Sequence, residues 1–235
     1  MPLLIHFASE KFICRILPKI KDAHGIRAPV MKPTKQYILE HALKQFNQNG
    51  FVNVRLQHIA DSAFVSVGHL AYHFKNKDTI VDTLYEELKQ QQESLLAEFR
   101  VVPLFEDIQQ QLIRLFNLQK KYLFFYLDTL EITRAYPEIK QKHAQHTAWK
   151  LQQIEFMFQF NISRGSFKLP APEEQLKETA WLFHTAIDTW MYSRNVVGFD
   201  HLNQPAFLSA IWSLLLPWCT DMGLREYAQL KISAG

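Results

Sequence analysis

The chain has 235 residues, 48% of them hydrophobic and 13% aromatic, with a formal net charge of +3. That content supplies a sizeable core and excludes a globally disordered chain. Two scattered cysteines (Cys14 and Cys219) and no apolar run of 18 residues exclude a disulfide framework, a zinc finger and a membrane-spanning helix.

A reducing cytoplasm is the expected compartment. Prolines 33, 103, 137, 170, 172 and 205 fall between periodic segments, and few segments alternate with period two. Proline is tolerated at the first turn of a helix and breaks its interior, so the pattern predicts an all-α fold. Charge is unevenly spread. Residues 1–77 hold eleven Lys/Arg against four acids, whereas the remainder holds 15 basic and 19 acidic residues. A basic front joined to a mildly acidic back fits a nucleic-acid reader fused to a second function.

Residues 1–31 are expected to be an N-terminal extension, broken by Pro18, Gly25 and Pro29. The leading expectation is a poorly ordered leader, with Met31 as the natural start. The alternative is an amphipathic basic arm with Phe12, Ile13, Ile16, Leu17 and Ile20 on one face. A first helix is predicted over 34–49. Ile38, Leu39, Ala42, Leu43 and Phe46 form its apolar stripe, and Gly50 is its stop. A short helix follows from Leu56, with Ile59, Ala60 and Ala63 on one side. Ser66 is a good N-cap for a third helix over 67–74, in which Leu70 and Phe74 face inward. Val67, His69, Tyr72 and His73 are left near the outside. A long helix is predicted from Lys77 to about Phe99, with a polar, solvated middle at 89–93. Two short helices joined by a tight turn, flanked by lysines, have the layout of a helix-turn-helix DNA reader.

These residues resemble the TetR/AcrR-type family of transcriptional regulators. The resemblance rests on Phe46, Gly50 and Phe51, then on Ile59, Ala60, Ala63, Val65, Ser66, Gly68, Leu70, His73, Phe74 and Lys77, all in register. It covers about residues 33–80. Phe64 departs from it, standing where the family prefers glycine, and Ala71 stands where tyrosine is usual. A phenylalanine at positive φ is strained, so either the turn is modified or burial of Phe64 offsets the strain. The resemblance implies a helix-turn-helix domain over 32–78 that binds double-stranded DNA. Arg55 would hold a phosphate where the second helix opens. Ser66, Val67, Gly68 and His69 would enter the major groove. Tyr72, His73 and Lys77 would contact the DNA backbone, with Tyr72 also reaching a base. The plainer readings are a partly buried structural histidine at His73 and a solvated lysine at Lys77.

Residues 79–235 are expected to form a helical bundle for effector binding and dimerisation. Its helices are predicted at 104–119, 121–135, 138–163, 173–197 and 204–219. Segments 180–191 and 206–218 are apolar nearly all round, which implies burial on more than one side. We expect them to pair with a second copy as a four-helix bundle across a two-fold axis, using Ala206, Ala210 and Ser213 with Trp190 and Trp212. The plainer reading makes both central helices of a monomer. The resemblance implies the same pairing.

Aromatic residues crowd this region. They are either ordinary core or the walls of a largely apolar pocket for a small-molecule effector, with Phe116, Phe125, Phe156 and Trp181 as candidates. His184 and Asp188, four apart on an apolar helix, are its candidate polar groups, or they satisfy only each other. His143 and His146 sit among Lys140, Gln141, Lys142 and Gln145, and are expected on a solvated basic face rather than around a metal. No glycine-rich phosphate loop, zinc-protease motif or nucleophile elbow is present, so no catalytic residue, metal or cofactor is expected. The expected function is a homodimeric regulator, a repressor in the usual case, that binds a pseudo-palindromic operator and is modulated by an effector. The alternative is a helical ligand-binding or protein-interaction module with a non-functional reader.

Overall fold

Hydrophobic spacing and stop signals account for the front of the molecule. The computed structural model describes residues 35–97, 102–168, 175–198 and 203–233. The expectations for residues 1–31 lie outside them. Helix α1 (Lys35–Asn49) buries Ile38, Leu39, Ala42 and Phe46, one face of a 3.6-residue repeat. Gly50 ends it with φ +76°, in the left-handed region that costs glycine nothing. Helices α2 (Leu56–Ser62) and α3 (Val67–His73) follow, and then α4 (Lys77–Ala97). The domain boundary expected at 78/79 falls inside α4.

The α2–α3 turn closes as a two-bond left-handed cap. Phe64 donates its N–H to Asp61 O (3.2 Å), and Val65 donates to Ala60 O (3.0 Å). Phe64 takes the positive φ, +54°. Its side chain is 85% exposed, so burial does not offset the strain. The turn keeps the geometry that suits glycine and carries a phenylalanine in it.

The remaining helices are α5 (Phe105–Lys121), α6 (Leu123–Ala135), α7 (Pro137–Ser163), α8 (Gln175–Val196), α9 (Gln204–Leu215) and α10 (Asp221–Ser233), with a 3₁₀ turn at Leu216–Trp218. No strand occurs among the described residues. Helix α10 is absent from the sequence expectation. Thr220 opens it, accepting the Gly223 N–H on its hydroxyl (3.3 Å), with Asp221 in the first turn. Gly223 disguises the helix, since glycine is a weak helix former. It is needed there because a Cβ would lie 2.3 Å from the Ser166 carbonyl oxygen. A bidentate Arg164–Glu226 pair (2.6 and 2.5 Å) also holds α10 to the end of α7.

One apolar core runs from Ile38 through Tyr85, Phe125 and Phe158 to Trp212. Within the described residues no helix is long and apolar enough to cross a membrane. Helix α6 is kinked at Asp128 (φ −109°, ψ 16°). The kink turns the Asp128 carboxylate toward the front of the molecule, where its Oδ2 accepts the Phe51 N–H at 2.7 Å.

Candidate DNA-reading surface and ligand cavity

Burial sorts the two faces of α3. Leu70 is fully buried, and Phe74 just beyond the helix is buried with it. On the other side Ser66, Gly68, Ala71 and Tyr72 are exposed, Tyr72 at 84%, while Val67, His69 and His73 are half-buried. Ser66 caps the helix by accepting the His69 N–H at 3.1 Å. The exposed surface is therefore small at the helix N-terminus and aromatic one turn later. Major-groove readers use short groups near the N-terminus to approach base edges and longer ones to reach the backbone. His73 is packed edge-on by both His69 and Tyr72, each with ring centroids 5.2 Å away. Arg55 is exposed at the N-cap of α2, where its backbone N–H donates to His58 Nδ1 (3.3 Å). His58 thus caps α2 with its side chain.

Lys77 is neither a solvated lysine nor a free phosphate ligand. Its Nζ donates to the Phe51 carbonyl at 2.5 Å and sits 4.1 Å from the centroid of the Phe51 ring. Burial lowers its pKa against the opposing pull of Asp78 and Asp128. The ammonium is spent on the reader's own α1–α2 turn. Lys75, two residues earlier in the connection to α4, is an exposed cation at this edge.

Behind the reader, α4, α5, α7 and α8 enclose a narrow cavity of about 50 Å³, walled by apolar groups such as Leu95, Leu112, Met157 and Phe183. Its polar lining residues are Gln92, Gln111, Lys150, His184 and Asp188. Lys150 donates to Asp188 Oδ2 at 2.8 Å, and His184 Nε2 lies 3.4 Å from the same oxygen. Burial works against the Asp188 charge, but Lys150, His184 and His143 together outweigh it and hold the carboxyl below its ordinary pKa. Gln92, Lys150 and Asp188 also face a wider cleft of about 350 Å³ lined by Tyr85, Phe125, Tyr126 and His143. One polar wall therefore separates two spaces.

A relay of hydrogen bonds stiffens that wall. Gln92 Nε2 donates to the Tyr126 hydroxyl (2.7 Å), which leaves Gln92 Oε1 to accept from His146 Nε2 (2.7 Å). Burial, reinforced by Lys150, pulls the pKa of His143 down to about 4 and that of His146 down to about 3. Both are neutral at pH 7. These residues correct two expectations. The polar middle of α4 is not wholly solvated, because Gln92 is buried. His143 and His146 are not on a solvated face, because α7 turns them inward against Tyr85, Phe125 and Gln92.

Residues 38–84 match the model of the bacterial regulatory proteins of the tetR family, and residues 81–227 match that of a bacterial transcriptional repressor, TetR. The chain belongs to the TetR family. A TetR-family protein of Marinobacter aquaeolei superposes with a TM-score of 0.76 at 25% identity, over 84% of this chain and 97% of that one. A regulator structure from Saccharomonospora viridis in complex with choline superposes with a TM-score of 0.61 at 20% identity, over 77% of this chain and 94% of that one, a likeness of fold alone. In sequence, the probable helix-turn-helix regulator YttP of Bacillus subtilis is 43% identical over 54 residues, 23% of this chain and 26% of that protein. The chain thus spans about a quarter of that relative.

Within this TetR-family fold the expected effector residues scatter. His184 and Asp188 line the cavity, and Phe125 lines the cleft. Phe116 is instead packed between Trp190 and Phe207, at 6.0 and 5.5 Å between ring centroids. Phe156 and Trp181 are exposed, because the outer faces of α7 and α8 carry them away from the cavity. Gln92, Gln111 and Lys150 were not anticipated. A polar run conceals Gln92, and only its heptad-like spacing from Leu88 and Leu96 hints that it points inward.

The expected pairing residues divide as well. Ala206 and Ala210 are half-buried and Ser213 is exposed on α9. Trp212 and Trp190 are buried inside the protomer, Trp212 donating to Gln109 Oε1 at 2.7 Å and packing on Phe105 and Tyr227. They support the face from beneath and do not form it. Its exposed apolar groups are Trp181, Leu182, Tyr192 and Val196 on α8 and Leu214 on α9.

Proposed function

We propose that the protein is a transcriptional regulator, a repressor in its simplest form, that binds a pseudo-palindromic DNA operator as a homodimer and is modulated by a small molecule held between α4, α5, α7 and α8. The observation that carries this reading is the division of α3, with Leu70 and Phe74 buried and Gly68, Ala71 and Tyr72 open to solvent. That division leaves a helix face free to lie in a groove. Arg55 and Lys75 flank it with phosphate-binding charge, and Tyr72 reaches furthest from the helix. The exposed apolar face of α8 and α9 supports pairing, which would present the two readers to successive major grooves. The cytoplasm is the compartment where such a reader meets DNA.

That the Saccharomonospora protein, a neighbour in fold, is a complex with choline supports a small-molecule effector for this chain. The cavity with its polar wall is where we place the effector. Binding there would shift the spacing of the readers, with coupling of ~1–3 kcal/mol typical of such linked equilibria.

Selection of bound fragments from a random duplex pool, followed by titration across salt, tests the reading. A selected two-fold symmetric site and a steep fall of affinity with salt are expected. Tyr72→Ala should weaken operator binding about tenfold while leaving the subunit mass in solution unchanged. A protein that selects no sequence, and whose Tyr72→Ala variant behaves as wild type, would instead be a ligand-binding module with an idle reader.

A further inference from the structure

The chemistry of the cavity wall narrows the class of molecule the proposed effector site accepts. The walls are apolar, so the body of a ligand must be apolar too. Two side chains lining the cavity are more than nine-tenths buried: Gln111 on α5, whose Oε1 has no hydrogen-bond partner, and His184 on α8, whose Nε2 faces Asp188 Oδ2 at 3.4 Å. A buried polar atom without a partner costs about 1–3 kcal/mol, which a ligand that completes it recovers. The full charges at the wall are already matched, Lys150 to Asp188 at 2.8 Å. His184 stays neutral because burial lowers its pKa, with Lys150 opposing the help that Asp188 gives its charged form. A carboxylate or an ammonium head would therefore lose its hydration with no unpaired opposite charge to meet it. A hydroxyl loses little, and it can donate to the unpartnered Gln111 Oε1.

Resting on the regulatory reading above, we infer that the ligand of this cavity is an uncharged amphiphile, an alkyl or ring-based body ending in a hydroxyl that donates to Gln111 Oε1. The slot is narrow, about 50 Å³, so only a slender chain can enter, and it does so by parting the apolar walls. Lys150 and Asp188 then act as a closed pair that shapes the end of the site and repels ionic heads.

Three probes with one common tail test the class on the full-length protein: 1-octanol, octanoate and octyltrimethylammonium, each titrated by calorimetry at pH 7.5. Octanol is expected to bind at least tenfold more tightly than either ion. Gln111→Met, which keeps the bulk and removes the acceptor, should weaken octanol about fivefold or more while leaving operator affinity without ligand unchanged. If Gln111→Met does not fold, Gln111→Leu serves as the second variant with the same expected loss. Tighter or equal binding of an ion, binding of none of the three, or octanol affinity unchanged in the folded variant overturns the assignment. Operator binding by the ligand-free protein is measured in parallel. A protein that ranks the probes as expected yet ignores DNA sinks only the regulatory reading, and one that grips DNA but prefers an ion sinks only the ligand class.

Discussion

Phe64 carries two costs at one position. Its φ of +54° is a conformation that disfavours any Cβ, and its ring is left in water. Phe64→Gly keeps both hydrogen bonds of the turn and removes the strain. It should stabilise the protein by about 1 kcal/mol even after glycine's extra chain entropy. Differential scanning calorimetry should show a Tm about 2–4 °C higher; a fall in Tm would mean the ring contributes packing that its exposure hides. The two lysines around α3 separate just as sharply. Lys75→Ala should reduce the slope of log affinity against log salt by about one, as expected for the loss of one phosphate contact. Lys77→Ala should leave that slope unchanged and lower the Tm, because the Lys77 ammonium is bonded to Phe51 O and faces its ring. An unchanged Tm with a shallower slope would return Lys77 to the DNA surface. Periodicity and spacing made Leu70, Phe74 and the Ser66 cap legible in advance. The inward turn of Lys77 was not, because its partner is a backbone carbonyl 26 residues away and leaves no trace in local pattern.

Helix α6 ties the part of the molecule that holds the cavity and cleft to the helix-turn-helix. Phe125 and Tyr126 face the cleft, and two residues later Asp128 accepts the Phe51 N–H at the kink. On the preceding turn the Phe124 N–H donates to Asn47 Oδ1 (2.9 Å), and Asn47 Nδ2 donates to Lys121 O (2.8 Å). Hydrogen bonds to a charged group contribute about 1.5–3 kcal/mol. Asp128→Ala should cost about that much in urea unfolding, and it should also leave the Phe51 N–H without its partner. Hydrogen exchange at Phe51 should accelerate by an order of magnitude or more, whereas the amide of Leu112, in a different part of the core, should slow or quicken only with global stability. Equal effects at both sites would reduce the contact to general packing. At this scale the helices with strong apolar periods and clear stops, α1 to α9, were readable to within a few residues. Helix α10 was missed because Gly223 answers to a neighbour, the Ser166 carbonyl, and not to helix propensity. Gln92 was misplaced for the same kind of reason: its environment is set by Tyr126 and His146, which are distant in sequence. The cavity and its polar wall required the packing of four helices, which no single segment encodes.

Across the whole molecule, neutral buried histidines make stability depend on pH in a definite direction. The folded state holds His146 near 3 and His143 near 4, whereas both titrate near 6.5 when unfolded. Between those values the unfolded chain binds more protons, so stability is full above about pH 6.5 and falls as the solution is acidified. His146 alone accounts for about 2 kcal/mol at pH 5, an upper figure because Glu93, 3.7 Å from its Nδ1, can partly receive the charge. Urea midpoints from pH 7.5 to pH 5 should fall accordingly, and His146→Gln should flatten the profile. Assembly supplies the last test, and it depends on which tryptophans are buried. Because Trp212 lies in the protomer's own core, Trp212→Arg should unfold the subunit and says nothing about pairing. Leu182, two-thirds exposed on α8, can be changed without opening that core. If the α8–α9 face joins two copies, Leu182→Asp places a charge in an apolar interface. The mass by light scattering should then halve with little change in helix content. Losing the second reader also removes its high effective concentration on the same operator, so affinity should drop by 10² or more. A Leu182→Asp protein that still runs at twice the subunit mass and binds operator normally would place the pairing surface elsewhere.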